Sequence, residues 1–327
     1  MSKRWRCWSV AEANIRLRRG SDPVVVGPMN FGHLRILAVA ICLGGPAWVL
    51  AETPKSPPRK GTPPTVVAPV VKPSWEPVFV GVEKTSLSAT HPRALRGAAV
   101  RIDLKAPGIS LFATPGNGSA PGETTALKTS GFLEKYRLQA AVNAAPFDVV
   151  YDFEGGPEDV KGLLISEGET VSAPQSLPAL LISRKNRAWI ARAPVNPDGA
   201  WNAVGGFAVI LEKGRVIRPA KDPLHPRTVA GVSKDGRFLF WLVIDGRQPG
   251  RSDGAKTAEA AEWLLALGAW DGLNLDGGGT TTLCVATPSG SAETLNRTIH
   301  RSVPGWERPA GCHLGVRALP FTRERGR

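Results

Sequence analysis

The chain has 327 residues, 36 of them Gly and 29 Pro, with 42% hydrophobic and 21% charged residues and a formal net charge of +13. With roughly one residue in five Gly or Pro, long helices and coiled coils are excluded, and the apolar content excludes disorder of the whole. The charge sits largely at the ends, +5 in residues 1–51, +3 in 52–74 and +2 in 323–327, leaving +3 for 75–322. Nucleic-acid binding, which needs basic and aromatic residues clustered on one face, is therefore not expected.

An apolar run over residues 36–50 follows Arg35 and leads to Val49-Leu50-Ala51. That order reads as a secretory leader cleaved after Ala51, so the protein is expected to be exported, periplasmic or secreted. The run is broken by Gly44, Gly45 and Pro46 and falls short of the ~20 residues a membrane anchor needs. A leader starts closer to its apolar core, so Met29 is the expected start of translation. Residues 52–77 are Pro-rich and aperiodic, as in a disordered linker. Residues 78–322 form the expected folded domain and 323–327 a basic tail.

Within the domain, Val100, Ile102 and Leu104 alternate with Arg101 and Asp103, the pattern of a half-buried strand. Similar runs lie at 109–114, 138–143, 162–166, 188–192, 206–211, 228–233 and 237–245, then at 272–276, 280–286 and 312–319. A helix is expected at 257–268, capped by Thr257 and ended by Gly268, and a weaker one at about 124–136. The expected fold is a single large α+β domain, mainly antiparallel sheet with a few packed helices. Cys7 and Cys42 fall in the leader. Cys284 and Cys312, left in an oxidising compartment, suggest one disulfide.

The most informative segment is Asn274-Leu275-Asp276-Gly277-Gly278-Gly279-Thr280-Thr281. A strand ends in a carboxylate, and three glycines then free the backbone to point N–H groups into one concavity suited to an oxyanion. Asp276 stands at its rim as base, nucleophile or metal ligand. The apolar run Phe238–Ile244 ends in the same manner at Asp245-Gly246-Arg247. Arg227 opens the strand before it, as fixed positive charge for a phosphate. Asn143 ends another strand. Read singly, each of these is equally an ordinary turn, cap or surface pair.

Their order resembles the phosphodiester glycosidase family, from about residue 97 to 319. The resemblance rests on Asn143–Phe147, Gly162–Val171, Gly205-Gly206-Phe207, Arg227–Asp235, Val243–Gln248, the helix 257–268, Asn274–Leu283 and Glu307–Val316. It departs in Asn143-Ala144-Ala145-Pro146-Phe147, where the family has two glycines and two aromatics, in Thr280 and Thr281 for serines, and in Cys312 for asparagine. It implies hydrolysis of the glycosidic bond of a sugar 1-phosphodiester or phosphorylated glycan, with Asp276 first and Asp245 second as catalytic carboxylates. Asn143, Arg227, Gly246, Arg247, Asn274, Gly277, Gly278, Gly279, Thr280 and Arg308 then bind substrate, and a Ca²⁺ held between Asp245 and Asp276 is an open alternative. Two other readings stay open: a phosphodiesterase that cleaves the P–O bond of envelope polymers, and a glycan-binding envelope protein without turnover.

Overall fold

The computed structural model describes residues 73–321. The expected leader, the start at Met29, most of the linker, Cys7, Cys42 and the basic tail lie outside the described residues. The first strand, Glu76–Phe79, begins inside the span expected as linker.

Three antiparallel sheets wrap one core. The largest has eight strands in the order Glu76–Phe79, Val82–Ala89, Leu95–Asp103, Phe238–Ile244, Arg227–Val232, Asp271–Asn274, Ala208–Glu212 and Arg215–Val216. Its centre is apolar on both faces, which explains the unbroken run Phe238–Ile244. Leu239, Trp241 and Val243 point into the core shared by the three sheets. Phe240, Leu242 and Ile244 point the other way, onto helix α2 (Thr257–Leu267), with Trp263 and Leu264 against them.

Two five-stranded sheets close the core. One runs Ala292–Thr294, Leu283–Ala286, Ala140–Asn143, His313–Arg317 and Ser110–Ala113, with helix α1 (Thr129–Tyr136) on its outer face. The other runs Ala188–Ala191, Ala179–Ile182, Asn202–Gly205, Leu164–Ser166 and Glu169–Ser172. The two α-helices span 8 and 11 residues, so antiparallel sheet dominates and helices contribute less than an α+β description implies. Among the described residues no helix is long and apolar enough to cross a membrane.

Helix α2 is not capped by Thr257. Its N-cap is Lys256, and a carboxylate from outside the helix, Asp222, accepts from Thr257 N at 2.7 Å, Ala258 N at 3.0 Å and Thr257 Oγ1 at 2.9 Å. A carboxylate satisfies the orphan donors and complements the helix dipole better than a hydroxyl does. The C-terminus ends at Gly268 in the left-handed region, φ 110°.

Cys284 and Cys312 are free thiols. The strand Ala140–Asn143 separates their two strands, and the period-two alternation turns them to opposite faces. Cys284 packs with Phe132 and Leu133 of α1, Cys312 with Leu314 and Val316 in the shared core. Two strand spacings, roughly 10 Å, and opposed Cβ vectors forbid a disulfide.

The strands Arg227–Val232, Phe238–Ile244 and Asp271–Asn274 share two ends of unlike chemistry. At one end the Lys234-Asp235-Gly236 turn, Lys105 and Lys185 border a shallow basin. The other end carries the candidate site.

Candidate active site

The register Arg227↔Ile244 and Val229↔Asn274 brings the start of one strand level with the ends of its two neighbours. The segments His225-Pro226, Asp245-Gly246-Arg247 and Leu275–Thr280 therefore leave the sheet side by side. Between them lies a cleft of about 190 Å³ bordered by Phe207, His225, Arg227, Arg247, Asn274, Asp276, the three glycines and Arg308.

Asp276 holds the only carboxylate bordering that cleft. Its Oδ2 lies 2.5 Å from Thr280 Oγ1 and 3.4 Å from Arg308 Nη2, and its side chain is 15% exposed. Burial pushes its pKa above the usual carboxylate range, and Arg308 is the strongest force opposing that rise. The turn that presents it is knotted by Asn143, which is fully buried. Asn143 Nδ2 donates to the Asp276 carbonyl at 2.7 Å and to Thr280 Oγ1 at 3.3 Å. Its Oδ1 accepts from Thr228 Oγ1 at 2.8 Å and Thr282 N at 3.1 Å. With all four positions used, Asn143 positions the turn and is not itself a substrate contact.

Three arginines border the cleft with Asp276, and Arg308 is the one that reaches its carboxylate. Arg227 is nearly buried; its Nε donates to the Ala255 carbonyl at 2.9 Å and its Nη2 to that of Pro223 at 2.6 Å, with Asp222 at 3.5 Å. Arg308 lies 15% exposed over Phe147, its guanidinium carbon 5.9 Å from the ring centroid, and its Nε is buried without a partner. Arg247 is exposed, holds a left-handed φ of 57°, and has no carboxylate partner among the described residues. Its Nη2 donates to His225 Nδ1 at 3.3 Å, which leaves the imidazole proton on Nε2. Burial, then Arg227 and Arg247, lower the pKa of His225, so it is neutral at neutral pH.

The glycines act differently from an N–H nest. The Gly278 N–H donates to the Pro226 carbonyl at 2.9 Å, and the Gly277 N–H bonds the Asp276 carboxylate. What the glycines supply is clearance. A Cβ on Gly277 would stand 2.7 Å from the Pro226 carbonyl oxygen, one on Gly278 3.1 Å from Arg247 Nη2, and one on Gly279 3.1 Å from Arg308 Nη1. Two arginines close over bare backbone.

Asp245 does not join Asp276. It is 2% exposed and borders a separate depression with Arg96, Arg251 and Asn296. Its carboxylate accepts from Asn296 Nδ2 at 3.2 Å and from Arg297 N at 3.1 Å, with Arg251 Nη2 at 3.6 Å. It anchors the chain that follows the Ala292–Thr294 strand. N–H donors around Asp245 and a guanidinium on Asp276 suit no cation, and no group of three metal-ligating side chains occurs among the described residues, so the Ca²⁺ alternative does not fit this donor set. Gly246 is also absent from the cleft wall; a Cβ there would meet Pro226 N at 2.6 Å and Gly254 Cα at 2.8 Å.

Asn274 does border the cleft, with its carbonyl accepting from Phe207 N at 2.8 Å and its Oδ1 buried and unpartnered. Phe207, 49% exposed, and His225 are cleft residues that the sequence does not single out. The signal for Phe207 is an aromatic directly after Gly205-Gly206, where the bare backbone of Gly206 lets the chain approach Asn274.

A model of phosphodiester glycosidases matches residues 136–317, more than half of the chain and all of the cleft's strand ends. The chain belongs to the phosphodiester glycosidase family. It is thus a glycosidase-type hydrolase. Two solved structures share the fold of this phosphodiester glycosidase. The catalytic domain of zebrafish N-acetylglucosamine-1-phosphodiester alpha-N-acetylglucosaminidase, in a form auto-inhibited by its pro-peptide, is 17% identical over 77% of this chain and 89% of that one, TM-score 0.55. A hypothetical protein from Synechocystis is 16% identical over 74% of this chain, TM-score 0.51; the chain spans 64% of that protein's length. No curated protein matches at the sequence level.

Proposed function

We propose that this enzyme is exported and hydrolyses the bond between a sugar's anomeric carbon and a phosphodiester oxygen, releasing free sugar and a phosphomonoester. The observation that carries the reading is one carboxylate, Asp276, sharing with three arginines the wall of a cleft of sugar-phosphate size. A phosphate leaves as an anion and needs no proton, so no second carboxylate acid is required. Arg227, Arg247 and Arg308 hold its charge as the bond lengthens. Phe207 offers a flat apolar face for a sugar ring, and the unpartnered Asn274 Oδ1 accepts a sugar hydroxyl. Asp276 stabilises the oxocarbenium-like transition state, either by attacking the anomeric carbon or by deprotonating the water that does; retention of configuration marks the first and inversion the second. Export rests on the leader-like order of residues 36–51.

A panel of methyl sugar 1-phosphodiesters in isotope-labelled water tests this reading. Label in the sugar is the expected result, and the Asp276→Asn variant should lose about a thousandfold in kcat. Label in phosphate would establish P–O cleavage instead. Saturable glycan binding with no turnover, unaffected by Asp276→Asn, would establish a binding protein.

A further inference from the structure

Of the nine large hydrophobic side chains that stand exposed among the described residues, one borders the cleft and five more lie on segments that adjoin it. Phe207 borders the cleft, and Leu224 precedes His225, which also borders it. Val149, Val150 and Phe153 follow Phe147, whose ring lies beneath Arg308. Val303 belongs to the hairpin of Ile299–His300 and Val303–Pro304, which packs on the Gly278–Thr280 turn. That hairpin turns through Arg301 and Ser302, both at positive φ (46° and 63°), and presents Arg301 and Val303 outward, 63% exposed in its side chain and 49% exposed.

Contacts tie two of these segments, 147–153 and the hairpin, into one lip. Asp152 Oδ1 accepts from His300 Nε2 at 2.7 Å, and Asp152 Oδ2 from Arg301 Nη2 at 2.7 Å. His300 packs edge-on against Trp306, ring centroids 4.8 Å apart, and Tyr151 against Phe153 at 5.2 Å. The arrangement therefore keeps Phe153 and Val303 in water on a pinned scaffold, a cost that an apolar partner would offset.

The cleft and its lip have opposite chemistry: the floor is cationic and polar, the rim apolar. A phosphodiester joins two groups. With the sugar and phosphate on the floor, the second group must leave across the rim, and an apolar rim favours only an apolar group there. We propose that the substrate is a lipid-linked sugar phosphodiester, presented at a bilayer on which this lip docks. The proposal rests on the hydrolase reading above. Exposed Arg247 and Arg297, which form no ion pair among the described residues, match an anionic headgroup surface.

The test compares wild type with a Phe153→Ser/Val303→Ser double variant, neither residue touching Asp276 or its partners. Co-sedimentation uses vesicles of phosphatidylglycerol and phosphatidylethanolamine. Turnover uses the hexadecyl diester of N-acetylglucosamine 1-phosphate in those vesicles and the methyl diester in solution. Vesicle binding, and kcat/KM on the hexadecyl diester, should fall at least about tenfold in the double variant while the methyl diester rate stays unchanged; Phe153→Leu should keep both. Absence of vesicle binding by wild type with the methyl diester still hydrolysed overturns the lipid proposal alone. Equal loss on both diesters, or a wild-type dimer that the double variant abolishes, also overturns it. Vesicle binding with neither diester hydrolysed instead overturns the hydrolase reading, and the substrate with it.

Discussion

Asn143 Nδ2 donates a 2.7 Å hydrogen bond to the backbone carbonyl of Asp276, so a residue at the end of a strand in one sheet fixes the turn that leaves another. The same amide reaches Thr228 and Thr282. Asn143→Ala would leave buried groups unpaired at both and is expected to cost about 2–4 kcal/mol of stability. Because it frees the Asp276 turn without touching substrate, kcat should fall while KM moves little. Steady-state kinetics on the folded fraction, with a chemical denaturation curve, check both.

Arg308 is the main force holding the Asp276 pKa down against burial. Arg308→Met removes that force, so Asp276 takes a proton at a higher pH. Activity that needs the carboxylate ionised is then lost sooner as pH falls, and the acid limb of kcat/KM moves to higher pH than in wild type. Arg247→Ala, by contrast, should raise KM by about tenfold with the acid limb in place, because Arg247 makes no contact with Asp276. A pair of pH–rate profiles distinguishes the two arginines.

Glu158 stands behind the site, 1% exposed, with Oε2 accepting from Val149 N at 3.1 Å and Oε1 unpartnered. Burial pushes its pKa from 4.5 to about 7. The folded chain thus keeps a proton that the unfolded chain loses above 4.5. Its contribution to stability is full below that pH, shrinks as pH rises through about 7, and then levels off. In Glu158→Gln this slope should flatten, as thermal melts at a series of pH values will show.

The thiols of Cys284 and Cys312 are fully buried, and burial pushes both pKa values up, that of Cys312 to about 12. Reductant should leave the melting temperature unchanged, and both thiols should react with a thiol reagent only after denaturation.

Much of the sheet is legible in the sequence because its strands alternate or run apolar throughout, as in Val100-Arg101-Ile102 and Phe238–Ile244. The strand Val82–Ala89 escapes that reading, since its buried residues divide between two faces, Val82 in the core shared by the sheets and Thr85, Leu87 and Ala89 on the other face. Ala179–Ile182 is buried throughout and only four residues long, too short for a period to show. For the site, residue types at strand ends point to Asp276, Arg227 and Arg247, and the family resemblance adds Arg308. What strand ends do not reveal is the direction in which a side chain turns once the strand is over. Asp245 and Asp276 end similar runs, yet one turns to the Asn296 side-chain amide and the Arg297 N–H of a distant loop and the other to the cleft. The role of Asn143 is tertiary, built from partners 85 to 139 positions away in sequence, and no local pattern encodes it.

The two ends of the Arg227–Val232 strand have a practical consequence. Lys105, Lys185 and Lys234 lie at the end opposite the cleft and belong to no ion pair among the described residues. Site-directed coupling of the protein to a solid support through the Lys234-Asp235-Gly236 turn would hold it with its opening toward the bulk phase, which makes the far end the natural handle for an immobilised catalyst.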